Sequence, residues 1–363
     1  MRIGILGATG RAGRTIALTL IENGVHDVVL IGRDNNRLEQ LQQELESVST
    51  VSPAFFTVSL DNSLSLNLAF KSIDMVVIAI SSAEKLPSVI DAALDTKTDC
   101  LDIFLCSDRK RLILESYQQK IHEAGIVYIT DGGYHPGIPA AMARFAEKVS
   151  PGLSTINVYS SFGVDWGEKT LSEQAMITFM EDVLSTKMCF LEEGKWCTGM
   201  KIVRFSLRDK NQHFFPIDLD EMRFLTSYIP TLKNAGFFAA GFGVFIDYIM
   251  MPIFLFLVKI SPKFIRLVAR MFAFTLKMLC NNERFALLHL RGEGPHEEIE
   301  ITISHGDAYG LTALPVVACL KQYTENRAKP GVYRQAIYVE PLEFINDLKS
   351  MGVSVNLNRI PKK

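Results

Sequence analysis

The opening stretch MRIGILGATGRAGRTIALTL constrains this chain more than any other. Ile3 to Leu6 form an apolar run of strand length, and Arg14 to Ile21 repeat apolar residues at helical spacing, so Gly7, Gly10 and Gly13 fall at a strand-to-helix turn. That is where a phosphate is held in nucleotide-binding folds. Glycines let the backbone turn sharply, admit a diphosphate at close range and let helix and strand pack, while free N–H groups at the helix start supply donors. The spacing is GxxGxxG rather than GxGxxG, and three glycines alone also suit a purely structural turn. On the phosphate reading the contacts are Gly7, Thr9, Gly10, Arg11, Ala12 and Gly13.

The next unit, HDVVLIGRDNNRLEQLQQEL, predicts a strand at Val28 to Ile31 and a helix that buries Leu38, Leu41 and Leu45. The end of a second strand lies beside the adenosine ribose in a dinucleotide fold. An NAD-binding chain usually places Asp or Glu there; this one has Arg33, whose guanidinium suits a 2′-phosphate. NADP(H) is therefore expected over NAD(H). A solvated loop role for Arg33, with Asp34 as helix N-cap, stays open, and Arg37 is a secondary candidate.

Apolar strands recur at Met75 to Ile80, in TDCLDIF and in GIVYIT, with helical segments near 84–95 and 109–124. Alternation of this kind predicts an α/β, Rossmann-type doubly wound parallel sheet covered on both faces. Ligands in such sheets bind at the carboxyl ends of strands, so Ser81, Ser82 and the segment Ile103 to Ser107 are expected to line the cofactor cleft.

At DGGYHPGIPAAMARF, residues 131–145, the sequence resembles the saccharopine dehydrogenase family, whose NADP-binding domain opens on GATGxxG and reaches a DPGI-like turn after its last strand. The segment HGDAYGLTALPVVACLKQYTENRAKPGVY, residues 305–333, resembles that family's closing helix and loop. The resemblance implies that the turn Gly133-Tyr134-His135-Pro136-Gly137 faces substrate and nicotinamide, which makes His135 and Tyr134 the candidate catalytic residues. His135 stands where saccharopine reductases carry an acidic residue. A histidine can donate or accept a proton near neutrality, and it can equally be a structural ring held by backbone carbonyls. Tyr134 is either a hydroxyl donor or a packed ring. Asp102 and Cys106, after the fifth strand, are placed near the site without a chemical role.

Other chemistries are set aside by pattern. No tyrosine is followed by lysine four residues on, which excludes the Tyr-Lys pair of short-chain dehydrogenases. His296, His305, Cys189 and Cys197 lack ligand spacing, so no metal is expected. A formal net charge of −2 argues against nucleic acid as partner. Six cysteines without a CxxC pair, and a start that runs directly into a strand, suggest a reducing cytoplasmic setting.

At 363 residues two domains are expected: an NADP-binding domain over 1–135 and a substrate and dimerisation domain over 136–330, with 331–363 packing back near the first. TINVYSSFG, KIVRFSLRD, RFALLHLRGEG and EEIEITISHG alternate as half-solvated strands. With helical runs near 172–185 and 308–325 they predict an α+β unit with a mainly antiparallel sheet. Residues 235–280 are expected as an apolar helical insertion. Its first part, AGFFAAGFGVFIDYIMMPIFLFLV, is long enough to span a bilayer, but Asp247 at its centre would cost about 2.5–3.5 kcal/mol there, and Pro252 interrupts it. Beyond it Lys263, Arg266, Arg270 and Lys277 recur on one helix face, opposite Ile265, Val268, Phe272 and Leu279. That pattern suits a helix lying in the headgroup region of a membrane's inner face, and equally one packed on the sheet or across a homodimer.

The expected function is an NADP(H)-dependent oxidoreductase acting on a small-molecule substrate: a carbonyl, an imine of amino-acid or polyamine type, or a lipid-like apolar compound. A non-catalytic nucleotide sensor or membrane-associated scaffold is the other class that the same glycine loop allows.

Overall fold

The computed structural model describes residues 1–363 except 50–51, 82, 106, 167–172, 209, 281–282 and 363, so Ser82 and Cys106 lie outside the described residues. The chain divides into two compact units, one made of residues 1–141 and 309–353, the other of 142–308 and 354–363.

The first unit alternates strictly. Its elements run β1 (Ile3–Leu6), α1 (Arg11–Glu22), β2 (Val28–Gly32), α2 (Asn35–Val48), β3 (Ala54–Thr57), α3 (Ser63–Phe70), β4 (Met75–Ile78), α4 (Leu86–Thr96), β5 (Asp99–Asp102), α5 (Asp108–Ala124), β6 (Val127–Thr130) and the start of α6 (Ile138–Val149). Five of these six strands are short runs buried throughout, as a sheet covered on both faces requires, and all but β5 are mainly apolar; β3, at the edge, is half exposed. β5 is the polar variant: its two aspartates are buried too, because both have cationic partners. β1 lies parallel between β2 and β4, with Ile3 opposite Val28 on one side and Met75 on the other. Leu38, Leu41 and Leu45 are the buried face of α2, and Asp34 caps it by accepting from the Arg37 N–H at 3.1 Å.

The second unit carries α6 onward: β7 (Thr155–Gly163), α7 (Glu173–Ser185), β8 (Cys189–Glu192), β9 (Lys195–Thr198), β10 (Val203–Leu207), β11 (Lys210–Ile217), α8 (Asp220–Arg223), α9 (Leu225–Tyr228), β12 (Asn234–Ala240), α10 (Met251–Ile260), α11 (Ile265–Leu279), β13 (Phe285–Glu293) and β14 (Glu297–His305). The chain then forms α12 (Ala308–Glu325), β15 (Gly331–Arg334), α13 (Gln335–Tyr338) and α14 (Pro341–Ser350), nearly all within the first unit, and ends on β16 (Ser354–Pro361).

Two sheets result. The first is parallel, in the order β15-β6-β5-β4-β1-β2-β3, the strand arrangement of a dinucleotide-binding fold with β15 added beyond β6. The second runs β10-β11-β12-β7-β13-β14-β16 and is antiparallel except at β12 and β7, which lie parallel.

Three expectations need correction. Residues 235–240 are not helical; they are β12, hydrogen-bonded between β11 and β7. A short apolar run reads alike as a buried strand or a buried helix, and pairing on both sides decides for the strand. Of the last segment, residues 331–353 belong to the first unit as expected, but 354–363 do not, because β16 pairs with β14 from Ser354↔Ser304 to Pro361↔Glu297; nearly all of α12, expected in the second domain, also belongs to the first unit. Finally, the face of α11 read as membrane-directed is internal: Val268 and Phe272 are fully buried in a cluster with Phe254 and Leu276. Among the described residues, no helix is long and apolar enough to cross a membrane.

Candidate functional site

The glycine loop sits at the carboxyl end of β1, between β2 and β4, where the winding of the sheet reverses. Its three glycines do different work. Gly7 has φ +90, and a Cβ there would stand 2.5 Å from the Ala79 carbonyl oxygen; one on Gly13 would stand 2.3 Å from that of Gly7. Gly13 therefore lets α1 pack against the end of β1, and Gly7 lets the loop pass close to the chain leaving β4. Gly10, the N-cap of α1, has an ordinary φ of −76, and a Cβ on it would meet only the Gly7 oxygen, at 3.2 Å. The protein's own packing asks for a small shift rather than for glycine at position 10, whereas a close external group would require glycine. Gly10 N–H donates back to Gly7 at 2.9 Å, which closes the turn. The N–H groups of Ala12 and Gly13 have no carbonyl within the loop to bond, as at any helix start.

Side chains frame this loop. Arg37, in the first turn of α2, donates to the Thr9 carbonyl at 2.8 Å and so braces the loop from the next helix. The Arg11 guanidinium lies 4.4 Å over the ring of Tyr309, at the start of α12. Arg33 is exposed at the end of β2 and makes no hydrogen bond or ion pair among the described residues. Ser81 is exposed just beyond β4. Gly7, Thr9, Gly10, Arg11, Ala12, Gly13, Arg33 and Ser81 thus gather at the carboxyl ends of β1, β2 and β4.

The turn after β6 is built differently, from buried charge. Lys110 of α5 is 2% exposed, and its ammonium donates to Asp131 Oδ1 at 2.6 Å, to the Phe104 carbonyl at 2.9 Å and to Asp102 Oδ1 at 3.1 Å. Arg334 approaches the other oxygen of Asp131 at 3.4 Å. Asp131 itself has φ +60, a left-handed conformation that Asp tolerates better than most residues. Tyr128 lies against this cluster, and burial first, then the Asp102 charge, hold its phenol well above the ordinary range. Gly132 N–H donates to the Asp102 carbonyl at 2.8 Å and Gly133 N–H reaches Gln335 Oε1 at 3.4 Å. A Cβ on Gly137 would collide with the Gly133 oxygen at 2.5 Å and with Gln335 Nε2 at 2.7 Å. The DGGYHPG segment is therefore a fixed turn, stitched by Lys110, Gln335 and its own glycines.

Tyr134 and His135 sit on that turn as an edge-to-face pair, ring centroids 4.2 Å apart, with Tyr134 buried and His135 partly buried. Burial lowers the His135 imidazole to about 4, so it is neutral near pH 7. It therefore has no extra proton to donate there, although a ring nitrogen can still accept one. Sequence reading missed Lys110, Arg334 and Gln335. Asp131, inside the quoted turn, and Asp102, at the end of the fifth strand, carried a signal, but partners 21 and 202 residues away in the chain leave none. Among the described residues no group of three or more His, Cys, Asp or Glu gathers as metal ligands.

The fold and the loop together define a two-unit protein with a dinucleotide-type first unit. Residues 2–104 match the family model for the NAD-dependent glycerol-3-phosphate dehydrogenase N-terminus. Over 99% of both chains the structure is similar to apo saccharopine dehydrogenase (L-Glu forming) from Saccharomyces cerevisiae, with TM-score 0.71 and 13% identity, so the resemblance seen in the sequence holds at the level of the whole fold. A carboxynorspermidine synthase from Vibrio alginolyticus is 26% identical over 171 residues, a match that covers 43% of this chain and 40% of that protein.

Proposed function

We propose that the chain is an NADP(H)-dependent oxidoreductase that works on a small molecule at a carbon–nitrogen or carbon–oxygen double bond. One observation carries the reading: at the switch point of a parallel sheet, Gly10 faces space that the protein's own atoms do not fill, with an unengaged Arg33 at the next strand. The residues fit a dinucleotide. Gly7 and Gly13 shape the loop, the α1 N-terminus offers N–H donors and positive dipole to the diphosphate, and Arg33 suits a 2′-phosphate. The bound nicotinamide would supply the hydride.

The chain's own residues supply position and proton handling. Lys110 and Gln335 hold the turn, Tyr134 and His135 are the candidates at the reacting carbon, and His135 enters as a neutral ring able to hydrogen-bond there rather than as a charged acid. An imine of amino-acid or polyamine type is the substrate class favoured by the names of the two enzymes above; a lipid-like carbonyl compound is the other. NADPH fluorescence titration tests the cofactor half, with NADPH expected to bind more tightly than NADH. Turnover of a carbonyl and imine panel tests the enzyme half, and tight NADPH binding without turnover of any member would favour the sensor class.

A further inference from the structure

α10 and α11 form a pair whose inner sides share one core. Phe254 and Val258 from the first helix and Val268, Phe272 and Leu276 from the second are buried together, with Met176 and Met180 of α7. A helix that has used its apolar stripe in this way ordinarily shows water a polar one. Here the outer sides are apolar as well. Ile249, in the helical turn Ile246–Met250 that leads into α10, and Ile253, Phe256 and Ile260 on α10 recur at spacings of four, three and four and all are exposed; Leu267, Met271, Phe274 and Met278 repeat the pattern on α11. Phe256 is 63% exposed, and Phe274 and Met278 are each 66% exposed, so these are not rim residues half-covered by neighbours. A contiguous apolar surface of this kind marks a binding face.

Charge selects what it binds. The one carboxylate between residues 241 and 280, Asp247, turns back into the chain and accepts from the N–H groups of Phe242 at 2.8 Å and Gly243 at 3.1 Å. The exposed charges on the pair are all cations: Lys259, Lys263, Arg266, Arg270 and Lys277, of which Arg270 is paired with Glu173 of α7 at 2.9 Å. A second copy of the chain is a poor partner for this face. In a two-fold pairing the same surface meets itself, and its cations would face one another without counter-charges.

We infer that the outer face of the α10–α11 pair docks on an anionic lipid surface, with Phe256, Phe274 and Met278 entering the acyl boundary and Lys259, Lys263, Arg266 and Lys277 at the headgroups. The face that inserts is not the Val268–Phe272 side, which the core occupies. Docking of this kind leaves the unit folded as it is, because the inserted side chains are already outside. It goes beyond the oxidoreductase reading and does not depend on it.

Flotation of the full chain with phosphatidylcholine–phosphatidylglycerol vesicles, against vesicles of phosphatidylcholine alone, tests it without cofactor or substrate. The protein is expected to float with the anionic vesicles and to stay behind with the neutral ones. A Phe256→Ser/Phe274→Ser/Met278→Ser variant, shown by its melting curve to be folded, is expected to remain in the dense layer. A Lys259→Gln/Lys263→Gln/Lys277→Gln variant should partition about 100-fold less, at roughly a fivefold loss per cation. Wild-type protein that floats with neither vesicle overturns the inference, as does an apolar triple variant that floats unchanged. A dimer in sedimentation that the same variant splits, with no flotation of the wild type, would assign the face to self-association instead.

Discussion

The ammonium of Lys110 stands 2.6 Å from Asp131 and 3.1 Å from Asp102, joining the ends of two neighbouring parallel strands through a charge almost wholly withdrawn from water. Such a contact fixes geometry more than it adds stability, because desolvation offsets most of the attraction. Its value is positional. Asp131 opens the turn that carries Tyr134 and His135, and its left-handed backbone is held by the side chain that Lys110 and Arg334 grip.

Removing the cation should therefore be severe. Lys110→Met leaves two carboxylates buried in one cluster, and a loss of about 3–5 kcal/mol is expected in denaturant titration. Arg334 still faces Asp131 in that variant, whereas among the described residues no other cation is paired with Asp102. The double variant Lys110→Met/Asp102→Asn should regain part of the loss. If Lys110→Met unfolds at the wild-type denaturant concentration, the cluster does not hold the turn.

The glycine loop separates structure from binding within three residues. Gly13→Ala puts a methyl group 2.3 Å from a backbone oxygen and should cost on the order of 3 kcal/mol of stability. Gly10→Ala, at φ −76, should leave the melting temperature nearly unchanged yet weaken NADPH binding by about tenfold or more, equivalent to ~1.4 kcal/mol. Isothermal titration beside a thermal melt reads both quantities. A Gly10→Ala variant that binds NADPH like the wild type would remove the diphosphate from this loop.

Arg33 carries the choice between cofactors. It has nothing to lose inside the protein, so Arg33→Ala should not change stability beyond about 0.5 kcal/mol. The same change should lower NADPH affinity by about 10–100-fold, the worth of a charge-assisted hydrogen bond or two, and leave NADH affinity unchanged. Equal losses for the two cofactors would show that Arg33 does not read the 2′-phosphate.

How much of this was legible in the chain depends on the distance over which each feature is decided. The strand, glycine loop and helix at the start are local, and the structure follows them closely from Ile3 to Glu22. Leu38, Leu41 and Leu45 likewise announced their buried face. Asp102 and Asp131 were placed near the site, but their pairing with Lys110 and Arg334 left no local trace, since the members come from α5, β5, the turn after β6 and the end of β15. Residues 235–240 misled because hydropathy alone does not distinguish a strand paired on both sides from a buried helix. α11 misled differently: it has two apolar stripes, and only packing shows which one the core takes.

His135 gives the pH dependence. Its side chain is neutral in the folded protein down to about pH 4 because burial disfavours the imidazolium, while in the unfolded chain it takes up a proton near the ordinary histidine value of 6.5. Above pH 6.5 both states are neutral there and the group contributes no slope. As pH falls from 6.5 toward 4 the unfolded state binds the extra proton first, so stability declines across that window, by about 3 kcal/mol in all. Carboxylates titrate near the lower end of the same range, so the quantity to compare is the difference between wild type and His135→Asn. Denaturant midpoints measured at intervals from pH 7 to pH 4 should fall more steeply for the wild type than for His135→Asn. Parallel curves would mean that the ring already meets water, and a water-exposed His135 would regain the ability to act as a proton donor near neutrality.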